Sequence, residues 1–276
     1  MSANDLQALE KMANQIRRDI VKMIGAASSG HPGGSLSAVE LLTYLYFKEM
    51  HIDPENPKMA DRDLFVLSKG HAAPVLYATL AERGFFDKAW LKDLRQVGSH
   101  LQGHPDMKKV PGVDMSTGSL GTGFSTAVGM ALACRLDQKE NYVYAVLGDG
   151  ELQEGQVWEA AMAAAHYKLG RLIAFVDHNG LQIDGRCSEV MGVDPVDEKF
   201  AAFGWDVQTI DGHSFEAIAA SIKNAKASAS NKPQMIVMQT IKGKGVSFME
   251  DQCGWHGSAP NAEQVAEALK ELGEEA

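Results

Sequence analysis

The sequence predicts an α/β fold, a doubly wound and mostly parallel sheet with helices on both faces. Two observations predict it. From Tyr142 onward, short apolar runs alternate with amphipathic segments: Tyr142–Leu147, Leu172–Val176, Asp206–Ile210 and Gln234–Ile241 read as strands, and Gly155–Leu169 and Ser214–Ala227 as helices. The runs before Gly148 and Asp177 are apolar throughout, as strands covered on both faces are. Each of these two strands ends in an oxygen-rich loop, GDGELQEG at 148–155 and DHNGLQIDG at 177–185. In such a sheet, ligands bind at the carboxyl ends of the strands, so these loops are the first place to look for chemistry.

The N-terminal half supplies the remaining elements. Leu6, Leu9, Met12, Ile16, Ile20, Met23 and Ile24 recur at helical spacing over residues 4–27, and the Ser-Ser-Gly-His-Pro-Gly-Gly run stops them. Ser35–Met50 reads as a second helix, Asp63–Leu67 as a strand, and a further helix follows His71. Leu101–Thr117, with Gly103, Pro105, Pro111 and Gly112, is loop. Gly121–Leu136 returns to helix with small residues on one side, and Ala262–Ala276 is a charged terminal helix. The whole of 1–276 is expected to form one domain, since its length supports a single large core.

Composition narrows the function. A net charge of −10 argues against general affinity for nucleic acid. No apolar run reaches spanning length, so no membrane role is expected, and the N-terminus shows no leader pattern. Cys134, Cys187 and Cys253 have neither metal spacing nor an even-numbered disulfide framework, which fits a reducing, cytoplasmic setting.

Asp149 offers a hard carboxylate, Asn179 a neutral amide oxygen, and the turn after Asn179 a backbone carbonyl, that of Leu181. Three such oxygens suit Mg²⁺, with Ca²⁺ or Mn²⁺ as alternatives, and leave positions for phosphate oxygens. Gly148 and Gly150 allow close backbone approach to a diphosphate, and a helix starting near Gln153 would point its positive end there. GDG alone is a common turn; joined to Asn179 across one strand-helix-strand unit it specifies a metal-diphosphate site. Four histidines sit in glycine- or proline-bearing loops: His31, His71, His104 and His256. Any one of them could be an ordinary loop histidine, but four beside a metal-diphosphate signature point to one shared site. His51, His100, His166, His178 and His213 are read as structural, and zinc is disfavoured because no pair has ligand spacing. Glu154 reads either as a first-turn carboxylate or as a buried acid of a proton relay, and Lys242 and Lys244 as a solvated turn or as phosphate contacts.

These segments, SGHPGGSLS, RDLFVLSKGHAAPVLY, GHPD, STGSLGTGFSTAVGMALA, GDGELQEGQVWEA, VDHNGLQIDG and KGKGVSFMED followed by WHG, resemble transketolase over Ala13 to about Pro260. The resemblance covers only the first half of a full-length transketolase, its diphosphate-binding domain. It implies thiamine diphosphate as cofactor, with Asp149, Asn179 and the Leu181 carbonyl as metal ligands. It further implies that Gly150, His71 and His256 contact the diphosphate, that Gly118 meets the aminopyrimidine and that Leu120 packs on the cofactor rings. His31, His104 and His256 then line the donor channel, and Glu154 joins a carboxylate network at the interface between subunits. The implied reaction moves a two-carbon ketol unit from a ketose phosphate to an aldose phosphate, by default in pentose phosphate metabolism. The implied partner is a separate C-terminal subunit with the pyrimidine-binding domain, two such pairs forming a heterotetramer. The alternatives are another thiamine diphosphate enzyme, of the deoxyxylulose-phosphate synthase or 2-oxo acid dehydrogenase kind, or a non-catalytic cofactor-binding partner.

Overall fold

Five parallel strands form the sheet, in the order β1-β2-β3-β7-β6, in a computed structural model that describes residues 1–274. They are β1 (Leu64–Leu67), β2 (Val143–Gly148), β3 (Leu172–His178), β6 (Asp206–Asp211) and β7 (Gln234–Gln239). A small antiparallel hairpin, β4 (Leu181–Gln182) and β5 (Gly185–Arg186), follows β3. The central strands alternate between two cores. Tyr144 and Val146, Ile173 and Phe175, and Ile236 and Met238 face one side, while their neighbours Ala145, Ala174 and Val237 face the other.

The first core packs α1 (Ala3–Ala27), α3 (Val39–Tyr44), α4 (Ala73–Arg83), α9 (Phe215–Ala227) and α10 (Ala262–Glu271) against the sheet. The second packs α5 (Thr122–Leu136), α6 (Gly155–His166) and α8 (Val196–Ala202). The doubly wound expectation is thereby met. Helix α1 begins at a capping box formed by Ser2 and Asp5 and buries Leu9, Ala13, Ile16, Ile20 and Ile24. Helix α5 comes so near the sheet that a Cβ on Gly123 would lie 2.7 Å from Ser68 Cα, which accounts for a residue without a side chain there.

Some boundaries differ from the sequence reading, each for a local reason. The single helix expected over Ser35–Met50 is divided into α2 (Pro32–Leu36), α3 and a wider turn at Leu45–Glu49. The break falls where the Ser37 hydroxyl donates to the buried Asp177 carboxylate at 2.5 Å, a tertiary bond that helical periodicity does not reveal. The helix expected over Gly155–Leu169 starts at Gly155, and not as early as Gln153 because a 3₁₀ turn occupies Gly150–Gln153, and it ends at His166 instead of Leu169. Strand β7 stops at Gln239, short of Ile241. A four-residue helix, α7 (Cys187–Val190), follows β5. Helix α10 ends at Glu271; Glu275 and Ala276, included in the expected terminal helix, lie outside the described residues. Among the described residues no helix is long and apolar enough to cross a membrane.

Candidate active site

The parallel register brings the ends of four strands level. Gly148 pairs with Asp177, and His178 with Gln239, so the loops leaving β1, β2, β3 and β7 share one edge of the sheet. At their base lies a charge pair that the sequence reading missed. Asp177, with no exposed surface, accepts from Lys69 Nζ, from Ser37 Oγ at 2.5 Å, from the Asn179 amide at 3.1 Å and from Thr240 Oγ1. Lys69, also buried, donates in addition to the Gly34 carbonyl at 2.6 Å. Burial alone would raise the Asp177 pKa, but Lys69 and the hydroxyls outweigh it and hold the carboxyl below its ordinary range.

Above this base the oxygen set assembles. Asp149 Oδ2 accepts from the Gly180 N–H at 2.5 Å and Oδ1 from the Gly150 N–H at 2.7 Å. The Leu181 N–H donates to Asn179 Oδ1 at 3.2 Å, so the 179–181 turn is folded against the Asp149 carboxylate. Burial, followed by the nearby charge of Asp177, pushes the Asp149 pKa upward, which marks a carboxylate lacking its full complement of positive charge. No cluster of three or more His, Cys, Asp or Glu side chains suited to a metal occurs among the described residues. The donors on offer are thus one carboxylate, one amide and one carbonyl, a set that fits a hard, oxygen-seeking cation. The Leu181 carbonyl accepts from Lys242 Nζ at 3.0 Å, and the same ammonium lies 2.8 Å from His256 Nδ1. Lys242 is buried, and that burial lowers its pKa to about 8. Of the two sequence readings of Lys242, the solvated turn therefore does not hold.

The histidine loops converge. His31, His71 and His256 lie with ring centroids 5.3, 5.5 and 4.9 Å apart, a mutual cluster drawn from residues up to 225 positions distant. Burial, then neighbouring positive groups, hold them neutral: His31 falls to about 4 and His256 to about 3, with His71 well below its ordinary value. His104 is more exposed and packs beside Gly118, where a Cβ would lie 3.1 Å from its ring. Gly118 follows Thr117, whose hydroxyl donates to the Leu67 carbonyl at 2.7 Å, so this loop is tied to the end of β1. Leu120 is half-buried, and its carbonyl accepts from Gln156 Nε2 at 3.1 Å.

A second omission is Glu151. It is buried, and it accepts from Ser68 Oγ, from the Gly121 N–H at 2.8 Å and from the Gly148 N–H at 3.1 Å. One carboxylate thereby joins β1, β2 and the loop before α5. Glu154, by contrast, is exposed at the start of α6, which corrects the expectation of a buried acid. The 3₁₀ turn at Gly150–Gln153 rotates Glu151 inward and Glu154 outward. Outside the site, His213 bonds Glu40 at 3.0 Å and accepts from the Ile241 N–H at 2.9 Å, and His100 stacks on Trp90 at 4.5 Å. His178 lies 3.0 Å from Asp194 and 3.3 Å from Gln239.

Known proteins share this architecture. The family description "Transketolase, thiamine diphosphate binding domain" matches residues 8–276. One chain of a 6-deoxy-6-sulfo-D-fructose transketolase from Clostridium sp. (strain MSTE9) is 48% identical over 267 residues, covering 97% of this chain and 97% of that protein. One chain of an apulose-4-phosphate transketolase from Phocaeicola vulgatus, likewise named as a subunit, is 42% identical, covering 98% of this chain and 95% of its relative. The crystal structure of transketolase from Campylobacter jejuni superposes with a TM-score of 0.92 at 34% identity, over 99% of this chain but only 43% of that enzyme. The chain spans nearly the full length of the two subunits and less than half of the longer enzyme. With a matching family over nearly all its length and relatives well above 30% identity, the chain belongs to the transketolase family, as its thiamine diphosphate-binding domain.

Proposed function

We propose that this chain is the diphosphate-binding subunit of a two-chain transketolase, which transfers a two-carbon ketol unit from a ketose to an aldose. The observation that carries the reading is the meeting of two sets of residues at one sheet edge. The oxygens of Asp149, Asn179 and Leu181 stand beside Lys242, which in turn touches the histidine cluster through His256. In this reading Asp149, Asn179 and the Leu181 carbonyl hold Mg²⁺, or Ca²⁺ or Mn²⁺, against the diphosphate. His71, His256, Lys242 and the Gly150 backbone face the diphosphate; Gly118 and Leu120 border the rings. Thiamine diphosphate supplies the nucleophilic carbon and the electron sink for carbon-carbon cleavage. The chain's own part is to neutralise the diphosphate, to exclude water, and to hydrogen-bond the substrate hydroxyls through His31, His104 and His256.

The domain of 1–276 works as one unit in this proposal, paired with a separate C-terminal subunit that carries the pyrimidine-binding domain. Two pairs form a heterotetramer, and the exposed Glu154 faces the partner in a shared carboxylate network. Three free cysteines support a reducing, cytoplasmic setting. The substrate is a ketose with a terminal anion, a sugar phosphate of the pentose phosphate kind or a sulfonate. This follows the two relatives of similar length, one named for a sulfonated fructose and one for a phosphorylated apulose.

Native mass spectrometry of the complex from its own cells, with thiamine diphosphate and Mg²⁺, tests the assembly. The recovered pair is then offered 6-deoxy-6-sulfofructose, apulose 4-phosphate and xylulose 5-phosphate with an aldose phosphate. Ketol transfer by the pair and none by the isolated chain is the expected result. Transfer by the isolated chain, or none by the pair with any of the three, refutes it.

A further inference from the structure

Arg95 is a cation within the site that neither the sequence motifs nor the resemblance singles out. It follows the helical turn Lys88–Asp93 in a left-handed conformation, φ 59°, fixed by its own N–H donating to the Leu101 carbonyl at 2.8 Å. From there the guanidinium reaches across to the first histidine loop. Nη1 donates to Ser29 Oγ at 3.1 Å, and Nη2 lies 3.2 Å from His31 Nδ1. Its plane is pressed on the Gly103 backbone, where a Cβ would stand 3.0 Å from Cζ and Nη2. No carboxylate pairs with Arg95 among the described residues, so its fork is held by Ser29, His31 and packing alone.

A guanidinium has five N–H donors, no acceptor, and stays protonated. The contact at His31 Nδ1 therefore has only one chemical sense: Arg95 donates, and Nδ1 must be the unprotonated nitrogen. A neutral His31 then carries its proton on Nε2. That edge of the ring lies beside Gly257, where a Cβ would be 3.5 Å from Nε2, and within the cluster formed with His71 and His256.

We propose that Arg95 is a positioning residue that locks His31 as the neutral Nε2–H tautomer, so that His31 meets a substrate oxygen as a hydrogen-bond donor and not as a base. The groups around His31 all favour the same state. Burial, then Arg95, His104 and Lys242, disfavour a second proton on the ring, and His71 and His256 are themselves neutral neighbours. A base at this position would need Nε2 free; Arg95 occupies the nitrogen to which the proton would have to move. The consequence for the reaction rests on the transketolase reading above, whereas the tautomer itself does not.

Long-range ¹H–¹⁵N correlation on the full chain labelled in histidine tests the assignment, with His31 identified by the signal lost in His31→Gln. The expected pattern is a pyridine-type Nδ1 and a protonated, pyrrole-type Nε2. A protonated Nδ1 in the unaltered chain overturns the proposal, whatever the variants do. Arg95→Met is expected to shift His31 towards a mixture of both tautomers, and Arg95→Lys to restore part of the original pattern. An unchanged His31 spectrum in Arg95→Met, with the fold intact by circular dichroism, also overturns it. In the two-chain complex Arg95→Met is expected to lower kcat about 100-fold, a typical worth for a placed proton donor. If no complex shows ketol transfer while the nitrogen pattern is as expected, the functional reading fails and the tautomer assignment stands.

Discussion

The Asn179 amide nitrogen donates to the Asp177 carboxylate at 3.1 Å, and this bond decides which way the amide faces. With nitrogen turned to Asp177, the oxygen is left toward the Leu181 N–H and the Asp149 side of the loop. An acid two residues away thus orients the amide oxygen that is proposed to hold the metal. Asp177 also carries Lys69, so orientation of Asn179 and neutralisation of a buried ammonium fall to one carboxylate. Asp177→Asn should cost about 3–5 kcal/mol in urea unfolding, since it strands the Lys69 charge. It should also weaken thiamine diphosphate and Mg²⁺ binding by about 10- to 100-fold in calorimetric titration, as loss of a ligand's orienting partner does. The double variant Lys69→Met with Asp177→Asn should regain most of the stability and little of the affinity. A loss under about 1 kcal/mol in the single variant would mean that Lys69 finds water or another partner.

Gly70 gives a second prediction, of steric origin. A Cβ there would stand 2.6 Å from Thr117 Oγ1 and 2.7 Å from the Gly118 nitrogen, so Gly70→Ala must displace the loop that carries Gly118 and Leu120. Overpacking of this kind costs about 1–3 kcal/mol. The larger effect is expected on the cofactor: binding monitored by tryptophan fluorescence should fall more steeply than the melting temperature. Equal or smaller loss of affinity than of stability would separate this loop from the cofactor.

Much of this was open to a reader of the sequence, and the division has a physical basis. Asp149, Asn179 and the loop histidines announce themselves because strand-end turns are local: their glycines and oxygens lie within a few residues of an apolar run. The sheet covered on both faces follows from short runs that are apolar throughout and recur between helical segments. Lys69, Asp177, Glu151 and Arg95 were not legible, because each acts through partners 30 to 140 positions away and looks like ordinary turn polarity in sequence. The same holds for the break at Ser37, where the bond to Asp177 spans 140 positions. Glu154, open in sequence to two readings as a first-turn carboxylate or a buried acid, is left exposed on this chain by the 3₁₀ turn at Gly150–Gln153, which turns Glu151 inward.

Glu151 is therefore the third test. Its oxygens accept from one hydroxyl and two backbone N–H groups, and burial raises its pKa against those bonds. Glu151→Gln keeps the shape but offers one oxygen where three donors converge, and its NH₂ must face an N–H. A buried donor left without an acceptor costs about 1–3 kcal/mol. Denaturant unfolding should show that loss, and hydrogen exchange should speed up at Gly121 and Gly148. Unaltered exchange at both amides would show that the carboxylate does not hold the two loops.

The fourth prediction concerns pH and lies away from the site. Asp19 on α1 and Glu82 on α4 face one another, and Asp19 Oδ2 and Glu82 Oε1 are buried without a hydrogen-bond partner. Burial, then the Glu82 carboxyl, raises the Asp19 pKa to about 7, while Gln15 and Lys88 oppose the shift. Because the folded value lies above the unfolded one, the folded chain holds this proton more tightly. Its contribution to stability is complete below about pH 4, where both states are protonated, and is lost as pH rises through about 7. Urea midpoints should accordingly fall between pH 5 and pH 8 more steeply in the unaltered chain than in Asp19→Asn, whose amide cannot ionise. Asp19→Asn should gain on the parent towards pH 8 and lose that advantage towards pH 5. Parallel pH profiles for the two chains would show that no proton is shared between α1 and α4.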